Sequence, residues 1–286
     1  MPPDLAPNPF WRLVDAVLVI NLDQRADRWA NLQHESSGLI PADRLHRSPA
    51  VLGRELTGFG KLPWFRGRSR DATWAARAGC TLAHRRALAT AREKNWHHAL
   101  ILEDDIVLPP ALVKILPTLG TWLETNPEAW DICYLGYTDP MQPSRHLIDL
   151  PAGTSLHAIY GCNCAHAYLV NGRTRDDLLA RLPTSDSIWP WLARHRAIDR
   201  WYMRTLGRRH RVVAVSPCLI NQRAGFSDIV RRETDYQLTG THRLAIPDNR
   251  LTSCSFDLLS SARSLQTRLT GGYDVLRGLG KRLRGF

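Results

Sequence analysis

Residues 99–105, Ala-Leu-Ile-Leu-Glu-Asp-Asp, run four apolar side chains straight into three carboxylates. The apolar stretch is boxed between Asn95-Trp96-His97-His98 and Pro109-Pro110. That is too short for a helix, and it reads as a buried strand. Adjacent acids at the mouth of a buried strand repel one another and lose hydration. Either a cation is brought to them or they stand in water. A divalent metal shared with a phosphorylated substrate answers the first case, because hard cations select carboxylate and phosphate oxygens. A solvated strand end answers the second.

The neighbouring segments supply elements for that strand to pair and pack with. Ala16-Val17-Leu18-Val19-Ile20 reads as a first strand ending in Asn21-Leu22-Asp23, followed by a polar, helical stretch from Arg25 to Glu35. Residues 52–72 hold glycines, a proline and the knot Arg66, Arg68, Arg70, the composition of a long binding loop or lid. Ala76, Cys80, Ala83, Ala87 and Ala91 recur at helical spacing and predict a helix over 74–94. Helix 111–124, strand 130–135, strand 164–170, helix 174–182 and strand 212–215 complete the pattern. Strands alternating with helices predict an α/β fold with a mixed, mostly parallel sheet, and ligands at the carboxyl ends of its strands.

A chain of 286 residues with 44% hydrophobic and 23% charged residues buries a sizeable core. No stretch approaches the roughly 20 apolar residues that span a bilayer, and residues 1–10 lack the basic start and apolar core of a secretion signal. The expectation is a cytoplasmic protein, peripheral at the inner membrane face if its tail binds lipid. The six cysteines are scattered through apolar contexts and read as small buried hydrophobes, with no second paired element to complete a zinc site around Cys162-Asn163-Cys164.

A net charge of +11 calls for an anionic partner. Nucleic acid is not expected, since no helix-turn-helix, zinc finger or RNP-like aromatic motif accompanies the charge. The tail, 251–286, is amphipathic. Leu258, Leu259, Ala262, Leu265 and Leu269 fall on one helix face with arginines elsewhere, and Gly271-Gly272 precedes a second basic stretch. It reads either as a solvated cationic helix or as one that lies on an anionic membrane surface. Trp189, Trp191 and Trp201 either stack on sugar rings or fill the core.

Several common motifs are absent: GxxxxGK, GxGxxG after a strand, HExxH and GxSxG. What is present resembles glycosyltransferase family 25, which includes bacterial lipopolysaccharide galactosyltransferases. The resemblance rests on Ile20-Asn21-Leu22-Asp23 with Arg25, Asp27 and Arg28, and on Ala78-Gly79-Cys80-Thr81-Leu82-Ala83-His84. It continues through Leu102-Glu103-Asp104-Asp105, Trp130-Asp131 to Leu135-Gly136, and Ala167-Tyr168-Leu169. Asp199 and the run from Pro217 through Gln222 to Ser227-Asp228-Ile229 follow in order. Ala83 stands where the family usually has serine, and Arg77 where it commonly has an acid.

The resemblance implies a GT-A-type nucleotide-sugar-binding fold over 15–250, preceded by an extension, 1–14. It implies metal-dependent, inverting transfer of a hexose, galactose favoured, from a UDP-sugar to a glycan or lipid-linked saccharide such as lipopolysaccharide. Asp105 and Asp104 are the expected ligands of Mn²⁺ or Mg²⁺, which suits an oxygen-rich site without thiolates or several histidines. Asn21, Asp23, Arg25, Arg28, Glu103, Asp104, Gln222, Ser227 and Asp228 are the expected donor-binding set. Asp199 is the expected base that takes the acceptor hydroxyl's proton, with a salt-bridged structural acid as its alternative. His84, one turn after Cys80 on the same helix face, is either a core histidine or part of the site.

Overall fold

The structure is a computed structural model that describes residues 8–227, 232–234, 245–247 and 249–286. In chain order its elements are α1 (Pro9–Leu13), β1 (Ala16–Asn21), α2 (Ala26–Ser36), β2 (Leu45–Pro49), α3 (Asp71–Glu93), β3 (His98–Glu103), β4 (Ile106–Val107) and α4 (Leu112–Thr125). There follow β5 (Ile132–Leu150), β6 (Thr154–Asn171), α5 (Gly172–Arg181), α6 (Ile188–His195), α7 (Ile198–Thr205) and β7 (Val212–Ser216). The chain then forms β8 (Asn221–Gln222), β9 (Gly225–Ser227), β10 (Arg232–Thr234), α8 (Arg250–Cys254) and α9 (Phe256–Arg284).

Six strands make one sheet in the order β2-β1-β3-β6-β5-β7. β1 pairs parallel to β2 and β3, and β5 parallel to β7, while β6 runs against β3, β5 and β7. The expected mixed, mostly parallel α/β fold is therefore what the chain forms, with β6 alone reversed. The reversal comes from a long β5–β6 hairpin in place of the helix crossover that strand–helix–strand alternation implies. β5 is bulged repeatedly between Tyr134 and Ser144. Those bulges bend it so that β6 reaches β7 as well.

Both faces of the sheet are buried, and the period of two sorts its side chains. Val17 and Val19 of β1, Leu100 and Leu102 of β3, and Val213 and Val215 of β7 pack with Phe10, Leu112, Ile115, Leu116 and Trp130 on one face. Leu18 and Ile20, Ala99 and Ile101, and Val212 and Ala214 pack with Ala83, Ala87 and Ala91 of α3 and with Tyr202 of α7 on the other. α1, within the stretch expected to form an extension, contributes Phe10 and Trp11 to the first of these clusters. Gly120 of α4 makes room for it, because a Cβ there would collide with the Phe10 backbone.

A third cluster gathers Phe65, Trp74, Trp189, Leu192 and Phe286, so the 52–72 loop and the chain end close over α3 and α6. Trp189 and Trp201 are core residues, while half-buried Trp191 lies against Trp201 with ring centroids 5.9 Å apart. Cys133, Cys162 and Cys218 are buried as expected; Cys80 and Cys164 are half-buried and Cys254 is exposed. α9 runs unbroken through Gly271-Gly272, where the sequence suggests a separation. No helix among the described residues is long and apolar enough to cross a membrane.

Candidate active site

Parallel pairing of β1 with β3 sets Ile20 opposite Glu103, so Asn21 meets the acids just beyond the strand end. Asn21 Nδ2 donates to Asp104 Oδ2 at 2.7 Å and to the Arg25 carbonyl at 2.9 Å. Arg28, on the first turn of α2, reaches Asp104 Oδ1 at 3.0 Å and Asp105 Oδ2 at 3.6 Å. The short β4–β8 pairing sets Ile106 opposite Gln222. From there Gln222 Nε2 donates to Glu103 Oε2 at 3.1 Å and to Asp105 Oδ1 at 3.2 Å. Six residues that the sequence singles out, Asn21, Arg28, Glu103, Asp104, Asp105 and Gln222, thus form one network.

Others stand apart from it. Asp23 is largely exposed and paired with Arg47, which also holds Asn21 Oδ1 at 2.7 Å. The Arg25 guanidinium spans Asp27 at 3.1 Å, and its carbonyl is what touches the network. Ser227 lies in β9, paired with Arg232, and Asp228 lies outside the described residues.

The acids face a cavity of about 820 Å³, within the range of small-molecule sites. Its lining also carries Asp199, in the first turn of α7, where the helix end favours negative charge. Arg28, Arg54, Arg77, Arg196, Arg200 and Lys281 line the same space. Two non-glycine residues of the lining, Cys164 and Arg196, hold left-handed backbones with φ of 60° and 73°. Such conformations persist where surrounding structure enforces them, and functional sites collect them.

The electrostatics of the three acids differ. Burial pushes Glu103 up, but the hydrogen bond and charge of His84, together with His166 and Arg28, outweigh it and leave the carboxyl below its usual range. Burial raises Asp104, with the bonds from Asn21 and Arg28 offsetting only part. Asp105 is pushed to about 7, by burial first and then by repulsion from Glu103. Arg28, His84 and two amides compensate Glu103 but leave Asp104 and Asp105, both partly withdrawn from water, short of it.

The expected metal site held carboxylates alone; the fold sets the Cys80 thiol and the His84 imidazole beside Glu103. Ligand atoms of Cys80, His84 and Glu103 lie within 4.8 Å of one another. Tyr168 OH lies 3.1 Å from His84 Nδ1, which turns Nε2 toward Glu103 Oε1 at 3.4 Å. An orienting partner of this kind is what a ligand histidine needs. The same contacts satisfy a core histidine, so both readings of His84 meet in one residue. His166 also lines the cavity; its Nε2 is 2.8 Å from the Ile220 carbonyl, and its buried Nδ1 has no hydrogen-bond partner among the described residues. Cys80 and His84 share a helix face that the sequence displays, but only the α3–β3 packing shows Glu103 opposite them.

No family model matches the chain, and no curated protein matches it. Among solved structures, A197 from STIV resembles it with a TM-score of 0.36 and 9% identity, over 82% of this chain and 95% of that one. A mannose-1-phosphate geranyltransferase from Thermus thermophilus does so with a TM-score of 0.33 and 14% identity, over 75% and 76%. Likenesses at these scores say nothing of what this chain binds.

Proposed function

We propose that the chain is a metal-dependent, inverting glycosyltransferase of the family 25 kind. It would move a hexose, galactose favoured, from a UDP-sugar to a glycan or lipid-linked saccharide. The observation that carries the reading is the cavity itself: an under-neutralised carboxylate shelf at the ends of β1 and β3, a basic rim, and a separate carboxylate, Asp199, in the same lining. A shelf of acids repels a nucleotide diphosphate unless a divalent cation joins them, and a basic rim suits the same diphosphate.

The donor set fits a cation. Asp105 is the acid whose charge is least compensated, and Glu103 offers a second oxygen beside it. Asp104 has both oxygens engaged by Asn21 and Arg28, which suits it to orient the shelf. Mn²⁺ or Mg²⁺ suits the carboxylates; a cation drawn toward Cys80 and His84 belongs to the zinc or cobalt class. When bound, such an ion supplies Lewis-acid stabilisation of the departing diphosphate. The rim cations hold the diphosphate in place, and the acceptor enters beside Asp199. Fixed at the start of α7, Asp199 then takes the proton of the attacking hydroxyl.

Replacing Asp199 with asparagine keeps shape and removes the base. The expected result is a fall of roughly 10²–10⁴-fold in UDP release from a UDP-sugar, with UDP binding retained. Unchanged turnover would return Asp199 to a structural role. Arg77, in the cavity where family 25 commonly has an acid, favours a second reading: a degenerate member that binds sugar nucleotide without transfer. Nucleotide binding with no turnover on any acceptor is its signature.

A further inference from the structure

A surface helix ordinarily turns its apolar stripe inward and its polar face to water. α9 does the reverse. Its protein-facing side begins with half-buried Phe256 and Leu259 and from there on is built from Thr267, Asp274, Arg277, Gly278 and Lys281. Thr267 Oγ1 meets Tyr160 OH at 3.1 Å, and Asp274 is held by Arg204 at 3.1 Å and Arg277 at 2.7 Å. Gly278 lets the Arg194 side chain lie against the helix. On the opposite side Leu258, Leu265, Leu269, Leu276, Leu279 and Leu283 recur at spacings of three, four or seven and are between 53% and 77% exposed. Exposed leucines scattered singly mean little. A continuous stripe along a helix of roughly 40 Å is an unfilled interface.

Charge identifies what fills it. Exposed Arg268 and Arg282 flank one side of the stripe and Arg284 the other. At the far end Arg66 donates to the Leu283 carbonyl at 2.7 Å, and Arg68 and Arg70 donate to the Phe286 carbonyl at 3.3 and 2.9 Å. Leu62, 69% exposed, stands on that same loop. A second copy of the helix would set arginine rows against arginine rows. An anionic surface with an apolar interior complements both features.

We propose that α9, with the 62–70 loop, is an interfacial membrane-docking surface. It lies flat with the leucine stripe in the acyl boundary and the flanking arginines on anionic headgroups. Lys281 of the same helix lines the large cavity, so docking holds the cavity rim about one helix diameter from the headgroups. Resting on the glycosyltransferase reading, this selects an acceptor whose sugar sits just above a membrane, a lipid-linked saccharide.

The test is flotation of the full chain with vesicles of mixed phosphatidylglycerol and phosphatidylcholine, against pure phosphatidylcholine, at low and high salt. Binding should require the anionic lipid and weaken with salt. The triple variant Leu265→Glu, Leu269→Glu, Leu276→Glu should lose it. Arg268→Gln, Arg282→Gln, Arg284→Gln together should weaken it roughly a hundredfold. Both variants alter exposed side chains, so their melting temperatures should match the parent, and UDP binding in solution should persist whether or not vesicles bind. Absence of binding to anionic vesicles overturns the proposal. So does a dimer in light scattering that the leucine variant converts to monomer, which would make the stripe a self-association face. Loss of UDP binding with vesicle binding intact would instead overturn the donor-site reading.

Discussion

Two carboxylate sites withdrawn from water stand at opposite ends of the same sheet and have opposite electrostatics. Asp131, just before β5, has a side chain 5% exposed. It receives Arg173 at 2.7 Å, the Arg211 backbone N–H at 2.7 Å and the Arg211 side chain at 3.2 Å. Burial pushes its carboxyl up, but these donors more than compensate and hold it below the usual range. Asp105, beyond β3, has Gln222 and a longer contact to Arg28, and is pushed to about 7. The chain has arginines in abundance, yet it saturates Asp131 and leaves Asp105 short. Satisfied buried charge marks structure. Unsatisfied charge at the wall of a cavity marks a place held open for a ligand.

Breaking the satisfied end should cost the most stability. Asp131→Ala strips partners from Arg173, Arg211 and Asn171, and should cost about 3 kcal/mol, read from urea unfolding, with UDP binding unchanged in the folded fraction. A loss under about 1 kcal/mol would mean the network is ornamental. Asp105→Asn should do the reverse and stabilise the metal-free protein by about 4 kcal/mol at pH 8. The sign follows from the raised carboxyl. Between the ordinary carboxylate range and about pH 7, the folded state holds a proton that the unfolded state has released, so stability falls as pH rises through that window. The gain in the asparagine variant should therefore be full above about pH 7 and vanish near the ordinary carboxylate range. A destabilised variant at mildly alkaline pH would refute the strain. Arg28→Gln, the mildest change, should lower stability by about 1 kcal/mol and move upward the pH at which the Asp105 effect becomes full. An unmoved profile would remove Arg28 from the balance.

Much of this architecture is legible in local pattern. β1, β3, α3 and α4 carry strong hydrophobic periodicity, and the acids announce the site by their clash with a buried strand. β2 escapes such a reading because Leu45-His46-Arg47-Ser48-Pro49 is an edge strand with little apolar content. The β5–β6 hairpin is longer than its pattern suggests because Asp139-Pro140 and Pro143 read as loop, whereas pairing across repeated bulges carries the strand through them. The basic rim has no local signal, since Arg54, Arg77, Arg196 and Arg200 come from separate loops and helices that only the fold converges. Likewise the amphipathicity of α9 is plain in the sequence, but which face turns inward is set by Tyr160, Arg204 and Arg194, residues distant along the chain.

The central claim is that the unsatisfied carboxylates await a cation that carries a nucleotide diphosphate. Thermal unfolding of the parent and of Asp105→Asn, with UDP and Mn²⁺ separately and together, tests it most directly. The account predicts a rise of about 5 °C in the parent that needs both ligands and disappears in the variant. An equal rise in the variant, or none in the parent with both ligands present, would contradict it.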